Sequence, residues 1–449
     1  MKILFLTTYD VVFCREHFFT KEVCLALSDK IQKDLKDEFV VATIITNEHP
    51  IADLTNNANN SFDYRIINAC GLSYEQQVLT LMKYIRDGAY DIVHSNMTEG
   101  IDIDACRRLN IPIVTTLHIG GFICPRGGGF LRYDDNICDD AVGVQCAKCM
   151  AKDMPFPKIT YALHRITPSK FKIALAKRIN RFFLYITPFL RLTTEPVAKR
   201  NFVKLANYSH IIAADKRLVE ILKLNGIDRH VHLIPHGVKQ RRRLPIPELK
   251  ENDPVKFYFL GRAEYSKGLH IIINALKNIP HKKYELHVIG DTAHLGKHSQ
   301  TYFNKIKRMA KDINVFFEGR IPNDKLEDTI KDYHVMIHSA IFLEIYGIAI
   351  TESLSMGRPV LATRCGGAEM QIKDGVNGWL IPPNDVESMR KAILHILANR
   401  KEIMEFGSNA KLPMPLPEYI NRLTSLYQDI IVEKNEKSNV GFRDTTRSY

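Results

Sequence analysis

The sequence lacks an apolar run long enough to cross a membrane. A span takes about 18 to 20 apolar residues, and no segment of this 449-residue chain reaches that length. The first residues, MKILFLTTYD, turn polar after four apolar positions, whereas the apolar core of a signal peptide needs about 7 to 15. We therefore expect a cytoplasmic protein.

Paired cysteines are not expected either. The chain has nine cysteines, an odd number, and without an export signal they are more often free thiols or metal ligands than disulfides. No Asp-x-Asp pair suited to chelating a metal ion stands out. The sequence also lacks an internal repeat of solenoid period.

Acidic residues are fewer than basic ones. The 62 lysines and arginines outnumber the 50 aspartates and glutamates, which gives a net charge of +12. Such an excess indicates an anionic partner, which is a nucleic acid, an acidic membrane surface or a phosphorylated substrate. The aromatic-interleaved basic motifs of RNA-binding proteins are absent, so nucleic acid is the weakest of the three.

Short apolar runs alternate with segments of helical periodicity along most of the chain. KILFL, VVATIITN, YDIVHSN and PIVTTLH have the composition of buried parallel strands, and the same pattern resumes with VKFYFL, YELHVIG, HVMIHSA and PVLATRC. Strands alternating with helices predict a doubly wound α/β sheet with ligands at the carboxyl ends of the strands. The length suits two domains of about 200 residues.

A polar, proline-containing run separates the two series of strands. Residues 239–254 have the composition of an interdomain linker. We predict two Rossmann-like domains, residues 1–240 and 255–412, that face a central cleft. An amphipathic helix over 413–434 follows, and the polar tail 435–449 is expected to be disordered.

Two carboxylates lie eight positions apart in the segment EIYGIAITE. If Gly347 starts a helix, Glu344 lies in the preceding loop and Glu352 in the second turn, about a quarter turn apart. The backbone N–H groups at the helix start are unpaired donors suited to a phosphate, and a carboxylate suits the vicinal hydroxyls of a sugar. This arrangement predicts a site for a sugar nucleotide.

Two cations lie in the glycine-bounded loop GRAEYSKG. Arg262 and Lys267 are five residues apart, and their charges would stabilise a departing diphosphate without a metal ion. Either cation alone would be typical of an exposed loop residue with no function. Their occurrence with the two downstream carboxylates is what indicates a site.

The segments GRAEYSKG and EIYGIAITESLSMGRPVLATRCGG resemble the Gly-Arg...Lys-Gly loop and the E-x7-E signature of glycosyltransferase family 4. Members of that family are retaining enzymes of GT-B fold. Both segments occur here in the family's order and separation, and a GG...DGVNG...PPND segment follows. The resemblance implies a metal-independent enzyme that needs no cofactor and transfers a hexose from a nucleoside-diphosphate sugar, in the UDP or GDP form.

The resemblance also implies residue roles. Glu352 would bind the ribose hydroxyls, Glu344 would contact the donor sugar, and Gly347 would bring backbone N–H groups to the phosphates. His118, after the strand PIVTTLH, would lie beside the donor sugar across the cleft from Arg262 and Lys267. Retention would follow a front-face route without a dedicated nucleophile.

The sequence departs from the family pattern at three places. Ile119 replaces an aspartate that often follows the histidine. The segment TTYDVVFCREH, after the first strand, has no glycine where relatives carry a diphosphate-binding glycine loop. Glu369 comes one position earlier than the usual glutamate, and we assign it no role.

Four cysteines cluster in the segment that follows His118. The cluster consists of Cys124, Cys138, Cys146 and Cys149, and only its last two members have C-x2-C spacing. Two pairs with this spacing would be typical of a structural zinc site. The sequence leaves open whether they bind a metal or remain reduced thiols. The aspartate pairs of this segment, 134–135 and 139–140, are expected to face solvent.

A basic segment follows the cysteines. Between Lys158 and Lys204 there are eleven lysines or arginines and a single acidic residue, Glu195. The segment is either a solvated helical pair packed on the sheet or a surface for an anionic membrane or acceptor. The second alternative agrees with relatives that build cell-surface polysaccharide on lipid-linked acceptors, and it predicts peripheral contact with the inner face of the membrane.

Other activities on the same fold remain as alternatives. A sugar-nucleotide epimerase would use a similar donor site without an acceptor. A phosphorylase would need a pyridoxal-binding lysine segment, which we do not recognise here. A basic nucleic-acid-binding protein is the third alternative.

Overall fold

The computed structural model of the chain shows two α/β domains. The described residues are 1–7, 18–46, 63–97, 100–118, 122–127, 129–154, 156–168, 170–172, 188–290 and 297–445.

The N-terminal domain is built on a seven-stranded parallel sheet in the order β3-β2-β1-β4-β5-β6-β7. Its strands are β1 (Lys2–Thr7), β2 (Glu38–Ile45), β3 (Asp63–Asn68), β4 (Ile92–Ser95), β5 (Ile113–Thr116), β6 (His210–Ala213) and β7 (Val231–Leu233). Its helices are α1 (Phe18–Asp29), α2 (Tyr74–Gly88), α3 (Ile101–Leu109), α4 (Cys146–Ala151), α5 (Pro157–Ile166), α6 (Pro188–Ala206) and α7 (Lys216–Leu224). The central strands are buried on both faces because helices cover the sheet on both sides, as their continuous apolar runs predict.

The C-terminal domain repeats this architecture with six parallel strands in the order β10-β9-β8-β11-β12-β13. Its strands are β8 (Val255–Leu260), β9 (Tyr284–Ile289), β10 (Val315–Gly319), β11 (Val335–His338), β12 (Val360–Thr363) and β13 (Gly378–Ile381). Its helices are α8 (Leu269–Leu276), α9 (Lys297–Met309), α10 (Leu326–Ile330), α11 (Ile348–Ser355), α12 (Gly367–Gln371), α13 (Val386–Ala398) and α14 (Arg400–Asn409). The predicted pair of Rossmann-like domains is confirmed.

A last helix, α15 (Leu416–Thr445), returns to the N-terminal domain. Its apolar face joins the core that covers β1, and the hydroxyl of Tyr427 contacts Nδ1 of the buried His94. The crossing helix expected over 413–434 overlaps this span. The helix continues to Thr445, twelve residues beyond the run PEYINRLTSLYQDIIVE. The expected disorder of the tail 435–449 stays a prediction.

The linker has no regular secondary structure over residues 239–250, but the C-terminal domain fixes it in place. The fully buried guanidinium of Arg358 donates to the backbone carbonyls of Leu244 and Pro245, at 3.0 and 2.9 Å. Leu244 is itself buried and its N–H bonds to the carbonyl of Met356. These contacts position the residues that enter the cleft from the linker.

The basic segment is described in part. Its central residues 173–187 lie outside the described part of the chain, as does the glycine-free segment after β1 from residue 8 to residue 17. Within the described ranges, no helix combines the length and the apolar composition that a membrane span requires.

Candidate functional site

The helix α11 begins where the sequence predicts. Gly347 is its N-cap and has φ 74°, a left-handed conformation that glycine adopts without strain. The chain can therefore turn sharply from the loop after β11 into the helix. The first backbone N–H groups of α11 lack partners within the helix, so this end favours an anion.

Glu344, in the loop before α11, is the centre of a buried ionic cluster. Both of its carboxylate oxygens accept hydrogen bonds from Nζ of Lys267 at 2.6 Å. Nε2 of His338, the last residue of β11, lies 3.2 Å from Oε2. The three side chains are between 5 and 19% exposed, so solvent screens their interactions only weakly.

The cluster shifts the pKa values of its members. Burial alone would raise the pKa of Glu344, but the opposing charges of Lys267 and His338 outweigh it and lower that pKa. Burial also opposes ionisation of His338, yet its hydrogen bonds with Cys365 and Glu344 raise its pKa to about 9. At neutral pH the cluster therefore holds one anion between two cations.

Glu352, in the second turn of α11, has a different partner. Its Oε1 accepts a hydrogen bond at 2.6 Å from Arg241, a linker residue that also donates to the carbonyl of Asn323 at 3.2 Å. Burial raises the pKa of Glu352 although Arg241 opposes that shift. The carboxylate is thus held at a fixed position with one oxygen engaged by the linker.

Glu352 and Arg241 line a pocket of about 610 Å³ between the domains. Glu22 of α1 lines one side, and Arg320 and Ile348 belong to the C-terminal domain. The volume is within the range of small-molecule sites, about 300 to 1,000 Å³. The pocket adjoins the start of α11, so a ligand in it can reach the unpaired N–H groups there.

Arg262 is not part of the buried cluster. Its side chain is 59% exposed and its Nη1 lies 3.2 Å from Oε1 of Glu264. Lys267, in the same loop, is 19% exposed. The structure therefore brings Lys267 to Glu344 and leaves Arg262 in solvent.

His118, just after β5, is linked to the C-terminal domain through aromatic rings. Its ring lies 4.9 Å from that of His236, which follows β7. The ring of His236 is in turn 5.4 Å from that of Tyr346, next to Gly347. Burial, and then the nearby His118, lower the pKa of His236 well below its ordinary value, which keeps this ring neutral.

Asp215 brings a further carboxylate to the domain interface. It caps α7, with Oδ1 accepting from the N–H of Leu218 at 3.0 Å, and the residue is fully buried. A β-carbon at Gly366 would lie 3.4 Å from this Oδ1 and 2.5 Å from Cδ1 of Leu343. Gly366 thus lets the loop after β12 approach the N-terminal domain closely.

Replacing Asp215 by asparagine is expected to stabilise the protein at neutral pH. Burial raises the pKa of Asp215 from 3.8 to about 6. A raised carboxyl pKa gives stability that is complete below 3.8 and lost as pH rises through about 6. Two pH units correspond to about 3 kcal/mol, so Asp215→Asn should exceed wild type by up to that amount at pH 7.5 and match it near pH 4.

Asp385, the N-cap of α13, provides the matched control. Its Oδ1 accepts from the N–H groups of Glu387 and Ser388 at 2.9 and 3.0 Å. Hydrogen bonds lower its pKa, so Asp385→Asn should destabilise above pH 4. Urea unfolding of both variants from pH 4 to 8 measures the two trends. If the free energy of unfolding of Asp215→Asn changed with pH in parallel with that of wild type, the raised pKa of the buried carboxyl group would be contradicted.

The segment containing the clustered cysteines forms part of the domain interface. The N–H of Leu343 bonds to the carbonyl of Gly129 at 2.9 Å, and the hydroxyl of Tyr265 donates to Asp135 at 3.2 Å. The expectation that the aspartate pairs face solvent is wrong for Asp135, whose side chain is only 21% exposed. Asp139 is exposed as expected, and it also pairs with Arg217 of α7 at 2.6 Å. These contacts lie between residues too far apart in sequence to be predicted from it.

Cys124, Cys138, Cys146 and Cys149 are partly buried free thiols. Burial raises the pKa of Cys138 to about 11, and it also raises the pKa values of Cys146 and Cys149. Among the described residues, no group of three or more histidine, cysteine or acidic side chains is arranged to hold a metal ion.

Sequence reasoning missed four residues of this region. His338 ends the buried strand β11 and His236 follows the partly exposed strand β7. The rule that selected His118, a histidine at the carboxyl end of a strand, would have selected both. Asp215 also follows a buried strand, and its position before α7 is typical of an N-cap. Arg241 carries no local signal, because it meets Glu352 only through the path of the linker.

Comparison with known proteins agrees with this architecture. Residues 240–412 match the family model described as glycosyl transferases group 1. A solved Anabaena structure, HepE in complex with UDP and glucose, superposes with a TM-score of 0.62 at 16% identity, covering 95% of this chain and 99% of that one. The fold is GT-B.

Curated relatives of this GT-B protein are distant in sequence. An uncharacterized glycosyltransferase of Methanocaldococcus jannaschii is 25% identical over 220 residues, 46% of this chain and 54% of that protein. A D-rhamnosyltransferase of Pseudomonas aeruginosa is 26% identical over 160 residues, 35% of this chain and 40% of that protein. The chain thus matches about half or less of the length of each.

Proposed function

We propose that the chain is a glycosyltransferase that moves a sugar from a nucleoside-diphosphate sugar to an acceptor, with retention of anomeric configuration. The family match of residues 240–412 and the GT-B fold support this proposal. The membership in family 4, with Glu344 and Glu352 as the E-x7-E carboxylates, belongs to the same proposal.

The observation that carries the proposal is the position of Lys267. Glu344 holds its ammonium with two 2.6 Å hydrogen bonds in a site that is mostly closed to solvent. Glu344 lies three residues before Gly347, the start of α11. A diphosphate at that helix end would meet backbone N–H groups on one side and a preorganised cation on the other.

The chemistry then follows from charge. As the bond between sugar and diphosphate breaks, negative charge grows on the leaving phosphate, and Lys267 stabilises it more than it stabilises the ground state. Arg262, in the same loop, is free to turn from Glu264 to the same anion. His118, with His236 behind it, would contact the sugar from the N-terminal domain.

Glu352 would bind the ribose. We expect Glu352→Gln to weaken donor binding about 10- to 100-fold, because hydrogen bonds to a charged acceptor contribute roughly 1.5 to 3 kcal/mol. Turnover at saturating donor should change little. Glu327→Gln is the control, since Glu327 lines the same pocket from α10. If both variants lost donor affinity equally, the assignment of Glu352 to the ribose would be contradicted.

The donor is proposed to carry UDP or GDP, and the reaction to need neither cofactor nor metal ion. The acceptor is proposed to be a lipid-linked or polysaccharide intermediate of cell-surface glycan synthesis. A structural neighbour described as a lipopolysaccharide outer core galactosyltransferase supports a glycan acceptor. Transfer that stopped on adding EDTA, with the fold intact, would overturn metal independence.

One assay separates this function from the alternatives. A transferase releases free nucleoside diphosphate in step with acceptor consumption, whereas an epimerase on the same fold converts one sugar nucleotide into another and releases no nucleoside diphosphate to an acceptor. Measuring diphosphate release with and without acceptor therefore distinguishes them. A nucleic-acid-binding protein would release none. The cytoplasmic location stays a prediction.

A further inference from the structure

An exposed apolar stripe runs along α5. Three large apolar side chains of α5 recur at spacings of four and three residues, which places them on one face of the helix, and Phe156, the N-cap with φ 50°, precedes them. The four are Phe156 (75% exposed), Ile159 (59%), Leu163 (44%) and Ile166 (76%). An apolar row at this exposure is unusual in a helix of a globular protein, whose apolar face normally points to the core.

The opposite face of α5 is the one that packs on the protein. Thr160 is buried, and Tyr161 packs against the small core that α4 and α6 form around Met150 and Leu192. The helix is therefore anchored through its more polar face.

A fifth apolar side chain extends the stripe. Phe171 is 58% exposed. The next residue, Lys172, is buried, and its Nζ donates to the carbonyl of His164 at 2.8 Å. This bond ties the segment that carries Phe171 to the C-terminal end of α5.

Three exposed cations lie within and just after α5, and anions are absent from this stretch. Lys158, Arg165 and Lys170 are exposed, and residues 156–172 contain no aspartate or glutamate. Apolar side chains beside unpaired cations are the composition of helices that lie in the surface of anionic membranes.

We propose that the face formed by Phe156, Ile159, Leu163, Ile166 and Phe171 docks on an anionic lipid bilayer. The apolar side chains insert among the acyl chains, and the three cations contact the lipid phosphates. A protein partner fits less well, because a stable interface needs about 20 to 30 residues a side, and this row supplies five with cations around it.

Vesicle binding tests the proposal without donor or acceptor, so its outcome does not depend on transferase activity. We expect the protein to sediment with vesicles of phosphatidylglycerol and phosphatidylcholine but not with phosphatidylcholine alone. Ile159→Ser, Leu163→Ser and Ile166→Ser together should weaken binding at least tenfold. The control triple, Leu394→Ser, Met404→Ser and Val432→Ser, also changes exposed apolar residues and should bind like wild type.

Charge is tested separately. Lys158→Glu, Arg165→Glu and Lys170→Glu together should abolish the preference for anionic vesicles. Lys277→Glu, Lys282→Glu and Lys283→Glu, an equal change at exposed lysines of the other domain, should preserve it. If both charge variants lost the preference for anionic vesicles equally, net charge alone would explain the binding, and the proposal of a defined docking surface would be wrong.

Insertion has its own signal. The chain has a single tryptophan, Trp379, and it is buried. Ile166→Trp should therefore report on the stripe, with a blue-shifted emission on binding anionic vesicles. Unshifted emission, or stripe variants that bind vesicles like wild type, would overturn the proposal. A third result would also overturn it: light scattering shows that the wild-type protein self-associates, and the stripe variants become monomeric but still bind lipid.

Discussion

Replacing Lys267 by alanine is expected to lower turnover about 10²- to 10³-fold, the usual cost of removing one preorganised group that stabilises charge in a transition state. The ammonium is fixed by two hydrogen bonds to Glu344 and is 19% exposed. Its field therefore acts in a poorly screened site on charge that develops as the diphosphate leaves. The measurement is single-turnover transfer at saturating donor.

Two controls accompany this prediction. Lys277→Ala removes an exposed lysine of the same domain and should leave turnover unchanged. His338 still neutralises Glu344 when Lys267 is absent, so the variant should stay folded at assay temperature, as circular dichroism can check. A folded Lys267→Ala variant with turnover near that of wild type would remove Lys267 from the mechanism.

Replacing Glu344 by glutamine is expected to destabilise the fold by about 3 to 5 kcal/mol, the usual cost of leaving buried charges unpaired. The substitution keeps the shape of the side chain but leaves Lys267 and His338 as two cations without their anion. Guanidinium unfolding measures the loss. Adding Lys267→Met should recover part of it, because one of the unpaired charges is then gone.

The pH dependence of this loss has a defined sign. The pKa of Glu344 is lowered, so its contribution is present above the ordinary carboxyl range and lost as pH falls through the lowered value. The pKa of His338 is raised from 6.5 to about 9, so its contribution is complete below 6.5 and lost as pH rises through 9. The difference in the free energy of unfolding between wild type and Glu344→Gln should therefore be largest near pH 6 and become smaller toward pH 10.

Local signals in the sequence were enough to predict the architecture. Buried strands such as β1 and β12 are continuous apolar runs, and Gly347 marks the start of α11 because only a residue that tolerates a positive φ suits that turn. Both features depend on short segments. The crossing helix is predictable for the same reason, although its extension to Thr445 is not, since the polar residues after Glu433 have no apolar period.

The partners within the site depend on contacts that no local pattern encodes. Motifs selected Glu344, Glu352 and Lys267, but the pairing of Glu352 with Arg241 depends on how Arg358 fixes the linker. For Arg262 the motif predicts too much. It places this residue in the site, but the side chain pairs with Glu264 in solvent. Sequence spacing predicts which residues share a loop, and packing determines which of them meet.

A thermal-shift panel of UDP, GDP, ADP and CMP tests the central claim, that a nucleoside diphosphate binds at the start of α11. At 100 times its dissociation constant, the right diphosphate should add about 2.7 kcal/mol to the free energy of unfolding. The account predicts a clear rise in melting temperature with UDP or GDP that Glu352→Gln diminishes and Glu327→Gln preserves. An unchanged melting temperature with all four nucleotides at millimolar concentration would contradict it.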